Sequence, residues 1–213
     1  MRNFFLVWAV SLLFIGCSSS KTPYAWQGEA KAYLSKYQEM MLKGDFFQAK
    51  YYLEDAVKEA KNDASLETLA IVYLSECAMQ KAMFLKTSCQ SYKALQDLII
   101  RPQYEMYQKM IEGDKVDDVS ALGQYRSLYE AIENKEIRLS DIRSLPTLYA
   151  QAIGSMVLFE KGLMSREISN YMIDRASQEN MKGLMLVWLK KSQLFETGKR
   201  LERLKNQIKV LSD

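Results

Sequence analysis

Apolar residues recur along this chain at the three- and four-residue intervals of helix faces. Trp26, Ala30, Tyr33, Tyr37, Met40 and Met41 make the first such stripe. Gly44 closes that helix as a left-handed cap would. Asp45 opens the next, with Gln48 three residues on in the manner of a capping box. Ala49, Tyr52, Leu53, Ala56, Val57 and Ala60 form its inner face. So short a joint makes the two helices antiparallel neighbours. A third helix is expected from about Ala64 to Met83, with Asp63 as its cap. Leu66, Leu69, Ala70, Tyr73 and Cys77 make one stripe there, and Leu74, Ala78 and Ala82 widen it. A helix apolar over so much of its circumference is expected to be central and buried.

The same period continues. Thr87 and Gln90 form a second capping-box pattern, opening an expected helix through Tyr92, Leu95 and Ile99. Arg101-Pro102 breaks it, and Tyr104, Tyr107 and Ile111 mark a short helix beyond. Gly113 to Asp118 reads as a solvated loop, because its acids lack the alternate spacing and distal glutamate of a calcium loop. Leu122, Tyr125, Leu128, Tyr129 and Ile132 predict a helix, followed by a polar joint near 134–141. Pro146 suits the first turn of the next helix, whose inner face is Tyr149, Ile153, Met156 and Phe159. Gly162 ends it. Ile168, Tyr171, Met172 and Ala176 mark one further helix, and Leu184, Val187, Trp188, Leu194 and Phe195 another. Gly44 and Gly162 each follow a lysine and precede a helix with a small residue in its early turns, Ala49 and Ser169, which hints at a repeated hairpin. The last helix carries Leu201, Leu204, Ile208 and Leu211 among Lys199, Arg200, Arg203, Lys205 and Lys209. It is expected to cover the end of the stack with its charges solvated. The fold class is therefore all-α, a stack of antiparallel helix hairpins.

The first 16 residues follow a different rule. One base, Arg2, precedes an apolar run from Phe4 to Ile15 broken only by Ser11. A charged start, a short apolar run and a small residue at the cut are the layout of a secretory signal. A span needs about 20 apolar residues, and Ser18, Ser19, Ser20 and Lys21 stop this run short. Phe14-Ile15-Gly16-Cys17 resembles the lipobox of bacterial lipoproteins, with phenylalanine where leucine is usual. That resemblance implies that Cys17 is acylated and becomes the mature N-terminus. Ser18, in place of aspartate, implies the outer membrane, with the domain facing the periplasm. An ordinary cleaved signal with an incidental cysteine is the alternative. The expected organisation is a signal peptide at 1–16, a lipidated tether at 17–24 and a helical domain at 25–213.

A second resemblance rests on Gly44, Phe46, Ala49, Leu53 and Ala56. They are similar to the turn and second helix of a tetratricopeptide repeat. In that family the glycine makes the turn and the alanines allow close helix approach. Tyr37 and Met40 fit its first helix less well, and any helical hairpin is the alternative. The repeat implies a solenoid or right-handed helical array.

Composition narrows the chemistry. Of 29 Lys and Arg, one leaves with the signal, so 28 bases face 26 acids. Such a balance makes no electrostatic case for nucleic acid. The chain has no histidine, which excludes Ser-His-Asp and Cys-His sites and the commonest zinc ligand sets. The only Ser-x-x-Lys, Ser18 to Lys21, lies in the tether. No catalytic residue, metal or cofactor is expected. Cys77 and Cys89 are an even pair at an extracytoplasmic address, which permits a disulfide. If the third helix runs unbroken to about Phe84 and Cys89 starts the next, however, the two are offset by roughly 8 Å along the axis. Free, buried thiols are therefore expected. The plan is similar to lipoproteins of outer-membrane protein insertion and to pilotins. It implies a protein-interaction scaffold in assembly of an envelope complex. The alternative is a structural lipoprotein binding peptidoglycan or a motor or secretion component.

Overall fold

The computed structural model describes residues 25–62 and 64–212. Among them every regular element is a helix. Cys17, the leader and the tether lie outside the described residues, as does Asp63.

Helix α1 (Ala25–Lys43) and helix α2 (Phe46–Asn62) form the expected hairpin. Gly44 turns it at φ 85°. The Asp45 N–H donates to the Met40 carbonyl at 2.9 Å, and the Gly44 N–H to that of Met41 at 3.0 Å. These two bonds satisfy carbonyls that the end of a helix leaves bare. The Asp45 carboxylate then accepts from the Gln48 N–H at 3.0 Å. Ala49 and Ala56 are fully buried, and Leu53 packs against the core.

Helix α3 (Leu66–Ala82) is central, as its wide apolar face predicts. Its cap is Ser65, whose hydroxyl accepts from the Thr68 N–H at 3.2 Å. Tyr37 on α1 donates its hydroxyl to the Glu76 carbonyl on α3. Helix α3 continues only as far as Ala82. Phe84 then takes the left-handed conformation at φ 54°, and the Leu85 N–H donates back to the Gln80 carbonyl. Residues 85–88 run without regular structure to Cys89.

Here the expectation of free thiols is overturned. Cys77 and Cys89 form a disulfide with Cα atoms 5.0 Å apart. The reason is the return path. Each nonhelical residue can cover about 3.3 Å, so the few residues after Phe84 recover the axial distance that α3 gained at about 1.5 Å each. The helix expected through Tyr92, Leu95 and Ile99 is likewise only one turn, α4 (Gln90–Lys93), with a 3-10 turn at Gln96–Leu98.

Pro102 opens α5 (Pro102–Glu112). Gly123 kinks the stretch before α6 (Arg126–Asn134). The joint expected to be merely polar contains α7 (Leu139–Arg143). Thr147 caps α8 (Leu148–Glu160), a second central helix, buried on nearly all sides and packed on α3, α5, α7 and α9. Ser165 caps α9 (Arg166–Gln178), which pairs with α10 (Lys182–Ser192). Helix α11 (Gly198–Ser212) leans on α10 and buries none of its residues completely. Glu196, nearly sealed from water, accepts from Arg166 at 3.1 Å and Arg200 at 3.0 Å, tying the start of α11 to α9.

The first and last hairpins also meet. Helix α10 packs on α1, where the Gly44 turn meets Gly183 backbone to backbone. A Cβ at Gly183 would lie 2.5 Å from the Gly44 nitrogen. Further along α10, Trp188 stacks edge to face with Phe84 and Phe159, with centroids 5.0 to 6.5 Å apart across the cluster. The Lys191 ammonium sits 4.1 and 4.6 Å from the Phe84 and Phe159 centroids, a cation–π arrangement.

Gly183→Ala should destabilise the chain by about 3 kcal/mol, because the atoms in its way are backbone and have little room to move. Gly28→Ala, with nothing near its Cβ, should instead stabilise α1 by about 0.5–1 kcal/mol. Thermal or urea unfolding of the two variants checks both signs. Neither Cys77 nor Cys89 should react with an alkylating reagent in denaturant until reductant is added. Reduction should lower stability by about 2–3 kcal/mol.

Candidate functional site

Two adjoining cavities open along one side of α3. The first, of about 550 Å³, lies between α1 and the start of α3; Leu34, Ser35, Gln38, Thr68 and Val72 are among its walls. The second, of about 280 Å³, lies between α3, α5, α8 and the segment before α6. Ile71 borders both and is substantially exposed. Together they make a concave groove whose α3 wall runs from Ser65 to Ser75.

The second cavity is built on tyrosines. Tyr107 comes from α5, Tyr125 from the turn before α6, and Tyr149 from the first turn of α8. The Tyr107 and Tyr125 rings pack against each other at 5.7 Å. Desolvation pushes the Tyr107 phenol well above its ordinary value, and the hydroxyls of Tyr149 and Tyr125 add to the shift. Burial raises Tyr149 to about 12, against hydrogen bonding from Tyr107, Ser75 and Gln38. Burial also raises Tyr125, with Tyr149 adding and Gln124 and Tyr107 partly offsetting. All three phenols are therefore protonated at neutral pH and available as donors. The Tyr125 hydroxyl is sealed from water, with the Tyr107 hydroxyl and the Gln124 side chain beside it.

The rim carries the charge. Tyr104 donates its hydroxyl to Glu67 at 3.0 Å, and Arg101 pairs with the same carboxylate at 3.2 Å. Arg101 and Tyr104 hold the Glu67 carboxyl below its usual range. Burial, then Glu67, raises Tyr104 to about 12. The second cavity offers neutral hydroxyl and amide groups among aliphatic side chains, whereas Lys31 and Glu67 line the first.

The residues singled out from sequence are placed as follows. Gly44, Ala49, Leu53 and Ala56 build the first hairpin and lie behind the groove. Phe46 does not pack in that hairpin. It is 48% exposed, beside Phe47 at 81% and Tyr51 at 57%, because the first turn of α2 faces outward before the Ala49 face turns in. Cys77 and Cys89 are buried and joined, and stand apart from the groove walls. The tyrosine cluster escaped the sequence reading. Tyr107, Tyr125 and Tyr149 belong to three separate elements and each looks like core; only Tyr104-x-x-Tyr107 hinted that one face of α5 carries hydroxyls.

Comparison with protein-family models, with curated proteins and with solved structures finds no match to this chain.

The phenols also set an alkaline limit. Their folded values lie above the ordinary 10.0, so the folded chain holds protons that the unfolded chain releases. That contribution is fully present below about pH 10 and is lost as pH rises through about 12. Stability should therefore fall steeply above pH 10. Tyr149→Phe should make the fall shallower and remove one late-titrating phenol from the ultraviolet titration.

Proposed function

We propose that this chain is a lipid-anchored envelope protein whose helical domain is a scaffold for a protein partner. The observation that carries the scaffold is the groove along α3: walled by several helices and lined with hydrogen-bonding groups beside apolar ones, with Lys31 and Glu67 at the first cavity. Binding sites are commonly of this mixed kind. Two further features support the address. Gly16-Cys17 closes a signal-like leader, and the buried Cys77–Cys89 bond belongs to an oxidising compartment. The Gly44 turn with its buried alanines supports the tetratricopeptide-like reading of the first hairpin. On this reading the domain hangs from an acylated Cys17 at the outer membrane and faces the periplasm. One acyl chain would hold it marginally, and two or more would hold it stably.

Cys17→Ser should move the protein from the membrane fraction to the soluble fraction, or leave the leader uncut. Persistence in the membrane fraction, with the leader removed, would refute the anchor. Crosslinking in intact cells, followed by mass spectrometry, tests the scaffold. A defined protein adduct that does not depend on which reagent is used supports it, and recovery of glycan fragments alone points to the structural alternative.

A further inference from the structure

Resting on the lipid-anchor reading, we infer that an apolar tip made by Leu66, Leu98 and Ile100 docks on the lipid surface that holds Cys17, so that the domain stands on this end and turns the start of α2 away.

The tip follows from local backbone. Ile99 and Arg101 are extended, at φ −132° and φ −135°, and side chains alternate across such a stretch. Ile99 packs on the small core cluster of Ala70, Leu74 and Tyr92. Its neighbours turn outward: Ile100 is 90% exposed and Leu98 64%. Arg101 then pairs with Glu67 at 3.2 Å, and Tyr104 bonds the same carboxylate. That bridge brings the loop to the first turn of α3, where Leu66 is 45% exposed. Aliphatic side chains gathered in water at one end gain from an apolar partner.

The place where the chain enters the domain selects that partner. The first cavity sets Ala30 and Lys31 of α1 against Ser65, Glu67 and Thr68 at the start of α3. The two helices therefore have their starts at one end, and the tip lies at the end from which the chain runs back to Cys17. Ala25 is about 8 Å along α1 from Ala30. Residues 17–24 span at most about 26 Å, at about 3.3 Å each. A lipid surface holding Cys17 is within reach of this end. Phe46 and Phe47, the exposed pair at the start of α2, lie the length of α1 further on, about 28 Å. Bringing them to the same surface would double the whole tether back along the domain. Charge at the tip is mixed in sign, because Arg101 is paired with Glu67 and Asp97 precedes Leu98. Docking therefore rests on apolar side chains entering the interface and not on anionic lipid.

The test couples the chain from Cys17 onward, through that thiol, to a maleimide lipid in phosphatidylcholine vesicles. The Cys77–Cys89 bond leaves no other thiol to react. A photoreactive diazirine residue takes the place of Ile100 in one sample and of Phe47 in another. On illumination the Ile100 position should give a lipid adduct, and the Phe47 position only the water adduct. Leu98→Ser should lower the ratio of lipid to water adduct at Ile100 about tenfold, since one buried aliphatic is lost from the docked state. Salt or added anionic lipid should leave that ratio unchanged. The inference is overturned if the Ile100 position gives no lipid adduct, if it reacts with a second copy of the chain in place of lipid, or if the Phe47 position gives as much lipid adduct or more. It is also overturned if the Ile100 adduct ignores Leu98→Ser or requires anionic lipid. The coupling supplies the anchor chemically, so these results judge the docking alone, while the Cys17→Ser fractionation judges the anchor.

Discussion

The contact between Gly44 and Gly183 constrains the fold more than any other single feature. Two stretches of main chain, 139 positions apart in sequence, approach until Gly183 has no room for a side chain and Gly44 has little. That approach sets the end of the first hairpin against the start of α10. Solenoid repeats meet only their neighbours; here the first and last hairpins also meet each other. The position of α1 follows, and with it one wall of the groove.

Phe84 joins three elements. It stands at the end of α3, touches Phe159 at the end of α8 and Trp188 in the middle of α10, and lies under the Lys191 ammonium. A left-handed conformation is unfavourable by about 1–2 kcal/mol for a residue with a Cβ. The aromatic contacts and the returning hydrogen bond from Leu85 offset it. The same reversal carries Cys89 back to Cys77, so the covalent bond and the aromatic cluster both depend on how α3 ends. With its end secured in this way, α3 can serve as a rigid wall.

The second cavity is lined by neutral side chains on that frame. Its phenols are raised by burial and hold their protons, while the ion pair of Glu67 with Arg101 stays at the rim, where solvent weakens it. Three tyrosines from separate elements meet in the second cavity, while Lys31 and Glu67 line the first.

The sequence by itself determined the helical class, the first hairpin and the central place of α3. Each follows from local signals: apolar spacing, the Gly44 turn, the Asp45 cap and the run of small residues at Ala49 and Ala56. The apolar run before Gly16-Cys17 is read from its chemistry alone and enters only the proposed address. The sequence could not place Phe46, since an aromatic residue in a first turn can face either way until a neighbour covers it. It missed the Cys77–Cys89 bond, because axial arithmetic along one helix says nothing about a chain that turns and runs back. It was silent on Gly183 and on the tyrosine groove. Those arise where elements distant in sequence meet, and only tertiary packing decides which backbones touch and which hydroxyls share a cavity.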